Sequence, residues 1–165
     1  MKMKVNLAGV KKDSVVDGPG IRYVIFAQGC KHNCRGCHNP STHSFNINNE
    51  MDVDDLIEEI KSLKYIDGVT FSGGDPFYQP KEFAYIAKRL KENNIHIISY
   101  SGFTFESLYK NKETKELLEN IDVLIDGPFI DNKKSLKLAF RGSENQRVVS
   151  VKESIKNRRA VTLDW

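Results

Sequence analysis

The sequence predicts an α/β protein in which helices cover a mainly parallel sheet. Short apolar segments rich in β-branched and aromatic residues alternate with amphipathic segments in the order strand, helix, strand, helix, strand. Glycine and proline mark the ends of the predicted strands. Strands that alternate with helices lie parallel and are joined by crossover connections. The 165 residues, 39% of them hydrophobic, can bury one core, so residues 1–165 are expected to form one domain.

The first half of the chain supplies two strands and one helix to this prediction. Residues 21–27 are mostly apolar and lie between Gly20 and Gly29, which is typical of a buried strand. Asp52 is a suitable N-cap for a helix, since apolar residues recur behind it at helical spacing. Those apolar residues are Leu56, Ile57, Ile60 and Leu63. Residues 69–72 form the second predicted strand, which runs into a Gly-Gly-Asp-Pro turn.

The second half repeats the alternation. Pro80 predicts the start of a helix that ends near Asn93 and Asn94. Its inward-facing residues are predicted to be Phe83, Ile86, Ala87 and Leu90. Residues 95–100 and 123–126 read as strands, and residues 113–119 read as a helix between them.

The length limits the architecture. A closed eight-fold barrel takes about 250 residues, so this chain is expected to form only an open, curved sheet of five or six strands. Ligands of such sheets gather at the carboxyl ends of the strands. The cysteine loop after residue 29 and the turns at 73–76, 101–102 and 127–128 all follow predicted strands. We therefore expect them to meet on one rim.

Composition and charge exclude several classes of function. The formal net charge of +3 is too small to indicate nucleic-acid binding. No run of roughly 18 to 20 apolar residues predicts a membrane span, and the first twelve residues lack the apolar region of a secretory signal. We expect a cytoplasmic protein without nucleic-acid or membrane partners. The polar, basic segment 131–147 is either a solvated loop or a docking segment.

All three cysteines lie in one short segment, from Cys30 to Cys37. They cannot join distant parts of the chain, so thiol ligands in a reducing compartment are the better interpretation. The spacing C-x3-C-x2-C places three thiolates on one loop, and three thiolates leave one corner of a four-iron cluster without a protein ligand. The alternative is a zinc site completed by His32, His38 or His43.

At Cys30, Cys34 and Cys37 the sequence resembles the radical S-adenosylmethionine superfamily. The resemblance implies a partial, open (β/α) barrel of the radical SAM type with mainly parallel strands. It also implies a 4Fe-4S cluster held by these cysteines, with S-adenosylmethionine bound at the open iron. In that family, one electron cleaves the carbon–sulfur bond and gives a 5′-deoxyadenosyl radical, which removes a hydrogen atom from the substrate, and the resemblance implies the same chemistry here.

The same resemblance assigns cofactor contacts to a further set of residues. The Ser72–Pro76 turn matches the glycine-rich motif whose main chain binds the amino group, which implicates Gly73 and Gly74. Gly36, Cys37 and His38 lie beside the cluster in this picture. The remaining expected contacts are Tyr100 and Ser101, to ribose or adenine, and Asp126, to the ribose or amino-acid part; a helix or turn cap is the alternative for Asp126.

Four further segments resemble activating enzymes of glycyl radical proteins. They are residues 17–22, 37–40, 123–129 and 141–147. The short length favours activating proteins of anaerobic ribonucleoside-triphosphate reductase, although His38 and Asp17 replace residues expected there. The implied partners are the large subunit of that reductase and a flavodoxin-like or other low-potential electron donor. The alternatives are activation of a pyruvate formate-lyase type enzyme, a small-molecule radical enzyme such as a deazapurine synthase, and a small zinc-binding module.

Overall fold

The computed structural model describes residues 3–32, 34–37 and 40–165. Within them the strands are β1 (Lys4–Ser14), β2 (Arg22–Ala27), β3 (Asn49–Asp52), β4 (Gly68–Gly73), β5 (His96–Tyr100), β6 (Val123–Asp126) and β7 (Arg147–Ser150). The helices are α1 (Val53–Ser62), α2 (Pro80–Lys91), α3 (Phe105–Lys110), α4 (Lys112–Glu119) and α5 (Val151–Asn157). The predicted α/β class is confirmed.

One mixed sheet of seven strands runs through the described residues in the order β3-β1-β2-β4-β5-β6-β7. The four central strands β2, β4, β5 and β6 are parallel, as predicted. By contrast, β1, β3 and β7 pair antiparallel at the two sides of this centre. The expectation of five or six strands was therefore wrong, because three strands extend the parallel centre.

The predicted helices begin where the sequence signals place them. Asp52 is the N-cap of α1, and its Oδ1 accepts bonds from the backbone N–H groups of Asp54 and Asp55 at 3.0 and 3.1 Å. Pro80 opens α2, where its missing N–H is harmless. The helix ends at Lys91, just before Asn94 adopts a positive φ of 58°. No helix in these ranges combines the length and the apolarity that crossing a bilayer requires.

The main core lies between the sheet and the helices. Alternate residues of β2, namely Tyr23, Ile25 and Ala27, face the helices and join Leu56 and Leu90 in one buried cluster. Burial of this apolar surface is the main stabilising contribution to the fold. On the opposite face of the sheet, a smaller buried cluster contains Ile98, Val123, Ile125 and Val148, with Tyr100, Phe140 and Trp165 packed against it. Tyr100 and Phe140 also line a cavity at the carboxyl ends of the strands, so this second cluster adjoins that cavity.

Candidate functional site

An open cavity of about 690 Å³ lies at the carboxyl ends of the parallel strands. Its lining comes from the cysteine loop after β2, the turns after β4, β5 and β6, and the segment 134–142. The lining residues that bear on chemistry are Cys30, His32, Cys34, Cys37, Ser72, Gly73, Gly74, Tyr100, Ser101, Gly127 and Arg141. The expected meeting of the strand-end loops on one rim is therefore confirmed.

The cysteine loop is closed at its base by backbone hydrogen bonds. The Gly29 N–H donates to Thr42 O at 2.6 Å, and the Cys30 N–H donates to His43 O at 3.1 Å. Within the loop, the Cys37 N–H donates to Cys34 O at 3.2 Å, which forms a tight turn. All three thiols are half-buried and form no disulfide. The loop thus presents three thiols to the cavity from one compact frame.

Burial controls the protonation of one of these thiols. Burial raises the pKa of the Cys30 thiol to about 11, and the nearby Asp75 carboxylate acts in the same direction. In the metal-free chain Cys30 is therefore protonated at neutral pH. Because metal ligation requires the thiolate, binding of iron at Cys30 releases a proton.

The two glycines of the turn after β4 are required by close packing. Gly73 has a φ of +94°, and a Cβ there would lie 2.5 Å from the backbone nitrogen of Ala27. A Cβ on Gly74 would lie 2.4 Å from the carbonyl oxygen of Gly29. The Gly74 N–H donates to Ala27 O at 2.8 Å. Glycine therefore lets this turn lie directly against the start of the cysteine loop.

The structure brings most of the other predicted contacts to the cavity wall. Tyr100 lines the cavity and donates its hydroxyl proton to Phe140 O at 2.6 Å. Ser101 lines it too, but its hydroxyl donates to Asp75. Gly36 has a φ of +75° and lies against Asp131, outside the cavity lining. His38, also predicted beside the cofactor, falls outside the described residues.

Asp126 is buried and is not among the described residues that line the cavity. It accepts bonds from Arg147 Nε at 3.0 Å and from the Phe105 N–H, at the start of α3, at 2.7 Å. Arg147 also pairs with Glu106, and its pKa is raised by these hydrogen bonds to carboxylates. The bond from the Phe105 N–H agrees with the cap that the sequence left as an alternative, and the ribose or amino-acid contact of Asp126 stays a prediction.

The segment Asp17-Gly-Pro-Gly-Ile-Arg22 owes much of its pattern to a buried arginine. Arg22 is 2% exposed, and its guanidinium donates to Thr70 Oγ1 at 2.8 Å and to the carbonyl oxygens of Pro19 and Val69 at 3.2 and 3.0 Å. Burial lowers the pKa of Arg22 to about 10. A Cβ on Gly18 would lie 2.8 Å from Arg22 Cδ, so the loop can fold over this side chain only with glycine there. Arg22 supports the site from below and does not face it.

Four residues of the site were not predicted in the roles the structure gives them. His32 donates to the buried Asp75, and His43 Nε2 lies 3.4 Å from Cys37 Sγ. Arg141 lines the cavity, and its Nε is buried without a partner among the described residues. The sequence signalled His32 and His43 only as histidines near cysteines, and it showed Asp75 only as a turn residue.

The donor set fits a cubic iron–sulfur cluster with one open iron. The chain contains three cysteines in total, and all three line the cavity, so a four-iron cluster held by them keeps one corner without a thiolate of this chain. The zinc alternative requires three or more ligands around one ion. In the part of the chain that the structure describes, no three His, Cys, Asp or Glu side chains are grouped to hold a single metal ion.

Comparison with known proteins agrees with this donor set. Residues 16–149 match the family described as a 4Fe-4S single cluster domain. The anaerobic ribonucleoside-triphosphate reductase-activating protein of Enterobacteria phage T4 is 37% identical over 144 residues, which is 82% of this chain and 87% of that protein. The pyruvate formate-lyase-activating enzyme of Staphylococcus epidermidis is 36% identical over 156 residues, or 89% of this chain. This chain belongs to the 4Fe-4S single cluster domain family, which it shares with these activating proteins of the radical S-adenosylmethionine type.

The family's cofactors are a 4Fe-4S cluster and S-adenosylmethionine, as the resemblance implied. The relatives differ in length. The chain spans 61% of the S. epidermidis enzyme and 62% of the corresponding enzyme of Staphylococcus aureus, which is 34% identical over 157 residues. The identity of this chain to the two kinds of activating protein is nearly equal, at 36% and 37%.

Proposed function

We propose that this activase cleaves S-adenosylmethionine reductively at its cluster and generates a glycyl radical on the large subunit of anaerobic ribonucleoside-triphosphate reductase. The observation that carries the proposal is the shared cavity of the three cysteines, the Gly73–Gly74 turn and Tyr100. When bound, the two cofactors supply one-electron cleavage of a carbon–sulfur bond and thereby hydrogen-atom removal. The chain's own residues hold and orient them.

The proposal gives the following roles to the predicted site residues and to Arg141. Cys30, Cys34 and Cys37 bind three irons, and the main chain of Gly73 and Gly74 binds the amino group of S-adenosylmethionine. Tyr100 and Ser101 lie along the ribose or adenine, and Gly36 and His38 flank the cluster beside Cys37. Arg141 binds the carboxylate, because a buried guanidinium nitrogen without a partner is stabilised by an anionic acceptor.

The macromolecular substrate is proposed from the comparisons and from the open cavity. The phage protein, named for the reductase, matches this chain over 87% of its length, whereas the pyruvate formate-lyase-activating enzymes are matched over 61 and 62% of theirs. This coverage favours the reductase. An open sheet also leaves room for a glycine-bearing loop of another protein. Activation of a pyruvate formate-lyase type enzyme is the second candidate, because 36% identity spans 156 residues of that relative.

The remaining parts of the proposal concern architecture and surroundings. Residues 1–165 form one radical SAM domain, a partial and open barrel, and the continuous seven-stranded sheet supports this. A flavodoxin-like or other low-potential protein delivers the electron. The cytoplasm is the proposed location, since three cysteines close together on one loop suit thiol ligands in a reducing compartment.

Anaerobic reconstitution with iron and sulfide, followed by S-adenosylmethionine and reductant, tests the proposal. We expect 5′-deoxyadenosine to form, and we expect a glycyl radical in electron paramagnetic resonance spectra only when the reductase large subunit is added. Cys34→Ala should lower iron content and 5′-deoxyadenosine to background, whereas Ser41→Ala, an exposed side chain beyond the loop, should retain both. A radical on pyruvate formate-lyase and none on the reductase would transfer the assignment to the second candidate.

A further inference from the structure

His32 lies between two predicted cluster ligands in the sequence, and its ring fits into a socket of side chains from neighbouring loops. Its Nε2 is 2.7 Å from Asp75 Oδ2, and since an ionised carboxylate only accepts, Nε2–H is the donor. The ring packs edge-on against Phe103, with the centroids 4.5 Å apart, and lies 5.7 Å from Tyr78. A Cβ on Gly102 would lie 2.4 Å from His32 Cδ2, so the socket closes only around a glycine.

The floor of this socket is one carboxylate that joins three loops. Asp75 is 1% exposed and accepts from Ser101 Oγ at 2.9 Å and from the Gly102 N–H at 2.9 Å, both in the turn after β5. It also accepts from the Phe77 N–H at 3.0 Å in its own turn after β4. With His32, the donors come from the loops after β2, β4 and β5. A buried carboxylate needs such donors, because burying an unsatisfied charge is strongly unfavourable.

We propose that His32 is a positioning residue that fixes the cysteine loop against the S-adenosylmethionine-binding turn through Asp75. Asp75 directly follows Gly73 and Gly74, so the His32–Asp75 bond sets the distance between the thiolates and that turn. A ligand that contacts both the cluster and this turn binds more tightly when the spacing between them is already correct, since a displacement of about 1 Å at such a site impairs its function. The part concerning S-adenosylmethionine rests on the proposed function; the ordering of the loop by His32 does not.

Hydrogen–deuterium exchange of the metal-free protein tests the ordering of the loop. His32→Phe fills the socket but cannot donate, whereas His32→Gln retains a donor. We expect the amides of residues 30–37 to exchange about tenfold faster in His32→Phe, the effect of losing one hydrogen bond to a charged group, and near the wild-type rate in His32→Gln. Lys31→Gln, an exposed neighbour in the same loop, should exchange like the wild type. Equal exchange in His32→Phe and the wild type would overturn the proposal.

Titration of the reconstituted, reduced protein with S-adenosylmethionine tests the consequence for binding. Followed by the electron paramagnetic resonance of the cluster, the dissociation constant should rise about tenfold in His32→Phe at unchanged iron and sulfide content, and His32→Gln should restore most of the affinity. Wild-type affinity in His32→Phe would refute the positioning role. If His32→Phe loses its cluster, the hydrogen–deuterium exchange rates decide whether His32 orders the loop. If the wild type binds no S-adenosylmethionine, that result counts against the proposed function alone, and the exchange rates again decide whether His32 orders the loop.

Discussion

At the scale of single residues, Arg141 offers the clearest test of how the cavity binds an anionic group. Its Nη1 donates to Gln146 O at 3.0 Å, while Nε is buried without a partner among the described residues. Arg141→Gln should weaken S-adenosylmethionine binding by roughly tenfold, because it removes a hydrogen bond to a carboxylate. Isothermal titration of the reconstituted protein measures this effect.

Two control variants show whether the charge or the shape of Arg141 matters. Arg141→Lys keeps the charge and loses the planar fork, so an intermediate affinity is expected. Lys137→Gln removes an exposed charge from the same segment and should leave the affinity within about twofold of the wild type, since exposed charges contribute little. Unchanged affinity in Arg141→Gln would remove Arg141 from the binding site.

The residues that sequence reasoning found and missed differ in the range of their contacts. The cysteines were predictable because C-x3-C-x2-C is a local spacing. His32 and Asp75 are 43 residues apart, so no local pattern could show that they are bonded. Asp126 was predicted as a cofactor contact from its place at a strand end, and its hydrogen bond with Arg147, 21 residues later, was equally invisible to a local pattern. Such hydrogen-bonded charge pairs join residues that are far apart in the sequence, so only the folded structure shows them.

At the scale of secondary structure, the N-cap of α1 contributes stability that can be measured. Asp52 satisfies two backbone N–H groups at the start of the helix. Asp52→Ala should lower the free energy of unfolding by about 1 kcal/mol, whereas Asp52→Asn keeps a capping oxygen and should lie closer to the wild type. Urea unfolding monitored by circular dichroism measures both. Equal loss in the two variants would show that the charge, and not the cap, is what stabilises α1.

Strands buried on both faces were predicted well, whereas the antiparallel strands outside the parallel centre and the shortest helices were not. β2 and β6 are almost entirely buried, so their sequences are apolar apart from Arg22 at the start of β2 and Asp126 at the end of β6. In β1 the alternation of buried and more exposed residues is limited to the region of Val5 and Leu7, and the end of the strand is polar and lysine-rich. This strand was therefore not predicted from the sequence. α3 and α5 have six and seven residues, too few for a helical period to be evident. Tertiary contacts, not local propensity, define these elements.

At the scale of the whole molecule, the buried Arg22 joins the two halves of the parallel sheet. It reaches from β2 across β4 to His96 at the start of β5, where Nη2 lies 3.1 Å from both His96 Nδ1 and the His96 carbonyl oxygen. An arginine only donates, so Nδ1 must be the acceptor and His96 must be neutral on that nitrogen. This arrangement couples the stability of the fold to the protonation of one histidine.

Protonation of His96 should therefore destabilise the folded protein as the pH falls. Burial, and then the Arg22 guanidinium, lower the pKa of His96 below its ordinary 6.5. Below about pH 6.5 the unfolded chain therefore binds more protons at His96 than the folded chain does. The contribution of neutral His96 to the free energy of unfolding is fully present above that pH, and it is lost as the pH falls below it. The urea concentration at the midpoint of unfolding should decrease when the pH is lowered from 7.5 to 5.5. His96→Asn keeps an oxygen to accept from Arg22 but does not titrate, so its midpoint should depend less on pH, although His32, His38 and His43 remain. Parallel pH profiles of the two proteins would show that His96 is not the titrating group.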